Sequence, residues 1–182
     1  MVIKKANAYL SLITTVLLLI HTGYTGISYI VMYYNPVMSK VTGYTLIGAI
    51  TAHAVISLII LFVMHDSVSV AYPGLNIRTV IQRICAALMI LLLPVHIKSF
   101  NLLQRSVGGI GYVLTETCQV IFCTAVFGHI AVSFSKSLIT LGILKDNRLR
   151  KRIDLILAII CLILCIAIIT ITLVTHIKLF LG

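Results

Sequence analysis

Five long apolar segments divide this chain and limit the folds that it can adopt. They cover about residues 9–33, 44–64, 80–102, 112–134 and 153–180. An apolar run of about 18 residues or more is long enough to cross the hydrocarbon core of a membrane as a helix. Backbone polar groups in that core have to be satisfied within the protein, which favours helices over isolated strands. The sequence therefore predicts an all-α integral membrane protein with five transmembrane helices.

The composition supports a membrane protein with a single domain at residues 1–182. Hydrophobic residues make up 60% of the chain and charged residues only 10%, whereas charged residues make up about 25% of soluble domains. The five segments use nearly the whole chain, so no soluble domain is left to bind a nucleotide or a substrate.

The net charge of +10 is divided unevenly between the two ends of the predicted helices. With the N-terminus in the cytoplasm, the inner side would carry Lys4, Lys5, Arg78, Arg83, Lys136, Lys145, Arg148, Arg150, Lys151 and Arg152, and the outer side Lys40, Lys98, Arg105 and Lys178. Short loops rich in Lys and Arg mark the cytoplasmic side. The N-terminus is therefore predicted inside and the C-terminus outside, and the basic balance indicates topology rather than nucleic-acid binding. The basic run at residues 145–152 also suits contact with anionic headgroups or with an acidic peripheral subunit.

One histidine lies well inside each of the first four segments: His21, His53, His96 and His129. An ionisable side chain within a membrane helix is costly and is by default a functional candidate. Neutral imidazole is a common axial ligand of haem iron, and two imidazoles on one iron leave no open site for oxygen. Four such histidines on successive helices are typical of a bundle that binds two haems and carries electrons.

The depth of each histidine predicts how the four are paired. In alternating helices, His21 and His96 fall towards the outer face, while His53 and His129 fall at the middle and towards the inner face. We therefore expect His21 and His96 to bind an outer haem iron, and His53 and His129 an inner one. A protein with a single haem, in which two of the histidines are bystanders, remains an alternative.

Polar residues near these histidines are candidates for the haem propionates and for proton transfer. Ser133 and Lys136 share the helical face of His129 and could hold the inner propionates. Lys98 and Arg105 are the corresponding outer candidates. Glu116 lies one turn inside the fourth segment, where a carboxyl is costly. It is either a proton acceptor or an interfacial residue that pairs with Arg105 or Lys98.

The fifth segment has little polar character at its centre, and we expect it to face lipid. His176 at its outer end, like His65 after the second segment, is expected to be interfacial. The five cysteines have no CxxC spacing and are expected to behave as small apolar residues.

Two stretches of the chain resemble a known family of membrane proteins. The run GHIAVSFSKSLITLGI, residues 128–143, is similar to the end of the fourth helix of the five-helix, di-haem membrane subunit of succinate:menaquinone oxidoreductases and quinol:fumarate reductases. The run RTVIQRICAALMILLLPVH, residues 78–96, is similar to the third helix of that subunit. The chain departs from the family in its short loops and in Val132-Ser133, where a glycine is expected after the fourth histidine.

This resemblance implies a specific function. It implies that His21, His53, His96 and His129 are axial ligands of two haems b in the cell membrane. It implies a flavoprotein subunit with covalent FAD and an iron–sulfur subunit on the cytoplasmic face, so the chain would be one subunit of the enzyme rather than an enzyme by itself. It also implies that menaquinone reacts near the outer haem, with Glu116 as the proton carrier.

Two other interpretations of the residues stay open. The chain may anchor a different dehydrogenase or reductase as a cytochrome b, and a molybdenum or nickel enzyme as the soluble partner would indicate this. A haem-free transporter or structural membrane protein is the third class, although no segment has the Gly/Pro-interrupted halves of a transporter site.

Overall fold

The residues that the structure describes form five α-helices. The computed structural model describes residues 2–63 and 73–181, and these residues contain no strand. The helices are α1 (Val2–Ile30), α2 (Pro36–Phe62), α3 (Pro73–Arg105), α4 (Ile110–Thr140) and α5 (Asn147–Phe180). Each contains a stretch that is long and apolar enough to cross a membrane. The prediction of an all-helical protein with five such helices is therefore confirmed. The prediction for His65 lies outside the described residues.

Helices α2 and α5 begin earlier than their apolar segments because side-chain caps, not hydropathy, set where they start. Pro36 occupies the first turn of α2, and the side chain of Asn35 accepts hydrogen bonds from the backbone N–H groups of Val37 and Met38. Asp146 caps α5 in the same way. An Asn or Asp cap followed by proline or a polar first turn is a strong start signal for a helix. The polar residues before each apolar segment therefore belong to the helix.

Interhelical hydrogen bonds show that neighbouring helices run in alternating directions. Asn7, near the start of α1, bonds to Ser57, near the end of α2. Arg78, near the start of α3, bonds to Ser135, near the end of α4. We call the end where α1, α3 and α5 begin the basic end, and the other the opposite end. The alternation agrees with the geometry assumed for the pairing by depth.

Helix α4 is at the centre of the packing. It contacts α1, α3 and α5, while α1 contacts α2 and α5. Phe127 of α4 packs with Cys161 and Cys165 of α5 in the apolar core. A Cβ atom on Gly128 would lie 3.4 Å from the sulfur of Cys85 on α3, so the glycine allows α3 and α4 to approach closely. Helix α5 is thus part of the core on one side, although many of its Ile and Leu side chains are exposed.

Large apolar side chains cover much of the outside of the bundle. Among them are Val16, Ile20 and Ile27 of α1 and Leu162 and Ile163 of α5, each at least half exposed. An apolar surface of this extent indicates contact with lipid or with another protein. Together with the five apolar helices, it suggests a multi-pass membrane protein.

Candidate functional site

The structure brings the four predicted histidines together in two pairs. His21 of α1 and His96 of α3 interact electrostatically and line the same cavity. His53 of α2 and His129 of α4 also interact electrostatically. These are the same pairs that depth along the helices predicted. All four side chains are partly buried.

The hydrogen bond of His129 defines which of its ring nitrogens is free. Its Nδ1 lies 3.1 Å from the backbone oxygen of Gln82 on α3. A carbonyl oxygen only accepts hydrogen bonds, so Nδ1 carries the proton and donates it. In the neutral ring the Nε2 atom then keeps its lone pair.

His96 has the same arrangement with a side-chain partner. Its Nδ1 lies 2.8 Å from Oε1 of Gln119 on α4, which accepts the Nδ1 proton. The His96 ring also stacks on Phe122, with 4.5 Å between the ring centroids and 18° between the planes. Helix α4 therefore fixes both the tautomer and the plane of this imidazole.

His21 follows the same pattern through a hydroxyl group on α2. Its Nδ1 lies 3.3 Å from Oγ1 of Thr42. The Thr42 hydroxyl donates its own proton to the backbone oxygens of Met38 and Ser39, so Oγ1 accepts from His21. Three of the four histidines thus donate from Nδ1 and keep the lone pair on Nε2.

This arrangement is the one that metal-binding histidines adopt. A ligating imidazole usually donates its second N–H to a carbonyl, carboxylate or similar acceptor, which fixes the tautomer and raises the basicity of the other nitrogen. Here the acceptors are a backbone carbonyl, a side-chain amide and a hydroxyl that each come from a neighbouring helix. His53 differs, since its Nδ1 is buried and has no hydrogen-bond partner among the described residues.

A cavity lies between α1, α3, α4 and α5 at the first histidine pair. Its volume is about 100 Å³, and its wall includes His21, His96, Glu116, Gln119 and His176. Most of the remaining wall is apolar and comes from residues such as Leu18, Val126, Phe127, Ile168 and Leu173. The cavity combines a few polar groups with an apolar lining, which is typical of small-molecule sites.

Imidazole nitrogen is a suitable ligand for haem iron, but the closed volume of about 100 Å³ fits only part of a haem. An engineered cavity of about 150 Å³ holds benzene, so a macrocycle needs more space than is enclosed here. Each pair joins helices that are diagonal in the bundle, α1 with α3 and α2 with α4, and the described residues show no extensive packing within either diagonal. A planar group between the two imidazoles would thus separate helices that are not packed closely on each other.

Glu116 lies beside the cavity and is bonded to a histidine that the sequence analysis placed at the interface. Its Oε1 atom is 2.7 Å from Nδ1 of His176, and both residues are buried, at 8% and 2% exposure. Nε2 of His176 lies 3.3 Å from the hydroxyl of Tyr29 on α1. His176, which was expected at the membrane interface, is thus buried within the bundle, because α5 turns this face towards α1 and α4. The partner of Glu116 is His176 rather than Arg105 or Lys98.

The outer propionate candidates lie away from this cavity. Lys98 and Arg105 are both exposed, and neither is among the described residues that line the cavity. The residue next to Lys98 in the sequence, Ser99, does line the cavity. Their role towards a propionate stays a prediction.

At the basic end, Arg78 joins three helices below His129. Its guanidinium group makes a bidentate ion pair with Asp154 on α5. It also donates to the backbone oxygen of Val132 at 2.7 Å and to Ser135 at 2.8 Å on α4. Arg78 was expected only to contribute to topology. The partners of Arg78 are far apart in the sequence, so no local pattern signals this cluster.

The inner propionate candidates differ in their surroundings. Ser133 is buried, and its hydroxyl donates to the backbone oxygen of His129 at 2.6 Å. Lys136 is exposed and lines a cleft of about 140 Å³ whose wall also includes Arg78, Gln82 and Arg150. Lys136 thus lies beside two arginines that both interact with Asp154, whereas the Ser133 hydroxyl already donates its proton to the backbone oxygen of His129.

Compared with models of known protein families, with curated proteins and with solved structures, the chain matches none. Its function is therefore inferred from the chemistry of its own residues.

Proposed function

We propose that this chain is the membrane-anchor and electron-transfer subunit of a succinate dehydrogenase or fumarate reductase, and that it binds two haems b. One observation supports this proposal: the four imidazoles, on four helices, form two pairs whose members are close enough to interact electrostatically, and three of them keep the Nε2 lone pair. Two imidazoles per iron is a common ligation of haem that serves electron transfer.

His21 and His96 would hold one haem, and His53 and His129 the other. When bound, each haem would supply reversible one-electron chemistry at its iron. The protein would orient the ligands, since Thr42, Gln119 and the backbone of Gln82 fix the imidazole tautomers. Lys136 with Ser133, and Lys98 with Arg105, are the residues proposed for the propionates at the two ends.

Menaquinone is the proposed membrane substrate, with Glu116 as the proton-transfer residue. The carboxyl group of Glu116 lines the cavity that His21 and His96 share. Its Oε2 atom is buried without a hydrogen-bond partner among the described residues. A buried carboxyl with an unused oxygen suits exchange of a proton with a hydroxyl or carbonyl of a bound ring.

The proposed location is the cell membrane, with the basic end towards the cytoplasm. The excess of Lys and Arg at that end supports this orientation. A flavoprotein subunit and an iron–sulfur subunit would dock there, where residues 145–152 and the start of α5 carry the densest positive charge. The FAD and the iron–sulfur clusters would belong to those subunits.

Purification of the tagged chain from its native membrane, without added overexpression, tests the proposed partners. We expect two soluble subunits to co-purify, one with a covalently bound flavin, and the complex to couple succinate or fumarate turnover to menaquinone. Co-purification of a molybdenum or nickel enzyme instead would contradict the assignment to dicarboxylate chemistry while leaving the haem sites open to their own test.

A further inference from the structure

The cleft of about 140 Å³ at the basic end lies between α3, α4 and α5. The polar part of its wall consists of Arg78, Thr79, Gln82, Ser135, Lys136 and Arg150. Among the described residues of the wall, three are cations and none is acidic. A concave surface lined by charges of one sign concentrates the field and attracts the opposite charge. The cleft is therefore suited to an anion.

The guanidinium group of Arg78 is held in place at the bottom of this cleft. It uses four of its five N–H groups, in bonds to Val132, to Ser135 and twice to Asp154. Both carboxylate oxygens of Asp154 accept a hydrogen bond from Arg78. The negative charge nearest to the cleft is thus already paired, and one N–H group of Arg78 is left for a ligand.

Two other side chains of the wall have donors that make no hydrogen bond to the described residues. Nε of Arg150 is 3.8 Å from Asp154, which is too long for a hydrogen bond. The side-chain amide of Gln82 is not hydrogen-bonded within the described part of the chain either, although its backbone oxygen accepts from His129. A phosphate oxygen only accepts hydrogen bonds, so it matches a wall in which donors predominate.

The cleft lies at the level where the apolar segments end. Arg78 precedes the third segment, Lys136 follows the fourth and Arg150 precedes the fifth. In a membrane, this is the level at which the hydrocarbon core meets the polar head groups. Basic pockets between transmembrane helices on the cytoplasmic side bind the head groups of anionic lipids.

Apolar surface continues from the cleft along both flanking helices. Ile81 and Ile84 of α3 and Leu155 and Ile156 of α5 are exposed within about two turns of Arg78 or Arg150. Helices α3 and α5 both pack on α4, and the described residues show no extensive packing of α3 on α5. Acyl chains would therefore contact apolar side chains beside a head group in the cleft. A free anion would use the cations but not this surface.

We infer that the cleft binds the phosphate of an anionic phospholipid, with Arg150 and Gln82 as its ligands. Arg78 contributes its remaining N–H group and joins α3 to α4 and α5 beneath the lipid. The site does not depend on the proposed electron-transfer function. A haem propionate is also anionic, but the wall includes no described residue of α2, the helix that carries His53. This position favours a lipid over a haem between His53 and His129.

Native mass spectrometry of the full-length protein in detergent micelles tests the site. The protein is titrated with phosphatidylglycerol, which is anionic, or with phosphatidylcholine, which is zwitterionic. We expect the first phosphatidylglycerol to bind at least about tenfold more tightly, because a hydrogen bond between charged groups contributes that much. Equal affinities for the two lipids would overturn the inference.

Arg150→Gln and Arg152→Gln form a matched pair of variants, since each removes one positive charge from the same part of α5. Arg152 is exposed and is not among the described residues of the cleft wall. Arg150→Gln should lose the preference for phosphatidylglycerol, and Arg152→Gln should keep it. The same loss in both variants would show that the lipid binds to the overall charge of residues 145–152 and not to the cleft.

Competition separates a lipid from the two other sources of an anionic group. We expect a large excess of inorganic phosphate to leave phosphatidylglycerol bound, and protein with and without haem to bind it equally. Displacement by inorganic phosphate, or loss of lipid binding in haem-loaded protein, would contradict a lipid site. Gln82→Leu should weaken phosphatidylglycerol binding about threefold, the value for a single hydrogen bond, and should leave haem binding unchanged.

Discussion

Nδ1 of His96 lies 2.8 Å from Oε1 of Gln119, so a side chain of α4 fixes the tautomer of a histidine on α3. Removing this acceptor in Gln119→Leu should weaken haem binding at His96. Loss of a hydrogen-bond partner behind a metal-ligating histidine costs about 10–100-fold in affinity. Transfer of haem from the purified protein to excess apomyoglobin measures the effect, and one of the two haems should leave faster.

Gln82→Leu is the matched control for this prediction. His129 bonds to the backbone oxygen of Gln82, which the substitution leaves in place. The variant should therefore lose haem at the rate of the wild type. Equal rates of haem loss in Gln119→Leu and Gln82→Leu would contradict the role assigned to the Gln119 side chain.

The four single histidine substitutions should fall into two groups of two variants, and each group should lose a different haem. His96→Ala and His21→Ala should each lose the same haem and keep the other, because the two residues lie in one pair. His129→Ala and His53→Ala should lose the second haem. Reduced-minus-oxidised spectra of the four variants measure this grouping. A grouping of His21 with His53, or of His96 with His129, would show that the pairing is wrong.

Glu116→Gln should keep both haems and slow quinone turnover. The amide is similar in shape to the carboxyl but cannot exchange a proton at neutral pH. Proton transfer by a positioned side chain contributes about 10²–10⁴-fold to a rate, so a loss within this range is expected in kcat for menaquinol. Haem content measured on the same sample separates this effect from misfolding, and normal turnover would refute the proton-transfer role.

Asp154→Asn should destabilise the bundle at its basic end. The ion pair with Arg78 joins α3 to α5, and its side chains are 34% and 22% exposed. We expect the free energy of unfolding to fall by about 1–3 kcal/mol, between the values for exposed and fully buried pairs. Denaturant titration in mixed micelles measures this loss.

Arg150→Gln is the control for that prediction. Its Nε atom is 3.8 Å from Asp154, and its side chain is 43% exposed. This contact should contribute less than about 1 kcal/mol to stability. A loss in Arg150→Gln as large as that in Asp154→Asn would indicate that overall charge at this end, rather than the bidentate pair, is what stabilises it.

The apolar segments predicted the five helices because hydropathy and length determine which stretches can lie in a hydrocarbon layer. The helix ends were less predictable, since Asn35 and Asp146 extend α2 and α5 into polar sequence through their caps. Depth along alternating helices predicts the pairs His21 with His96 and His53 with His129, and the ligation of haem by these pairs stays a prediction. Depth depends only on position in the sequence, and for that reason this part of the site could be predicted.

The contacts of Glu116 and Arg78 could not be predicted in the same way. Each depends on how α5 is rotated against α1 and α4, and periodicity in an almost uniformly apolar helix does not define a rotation. From the sequence, His176 is therefore expected at the membrane interface. In the structure its side chain is only 2% exposed, and it lines the cavity. Arg78 and Asp154 are 76 residues apart in the sequence, so no local pattern signals their ion pair.

The central claim is that this chain binds two haems through four histidines. A dithionite-reduced minus oxidised spectrum of the purified protein, with haem and polypeptide both quantified, tests it most directly. The account predicts two b-type haems per polypeptide. The absence of haem from protein expressed with an adequate haem supply would contradict it.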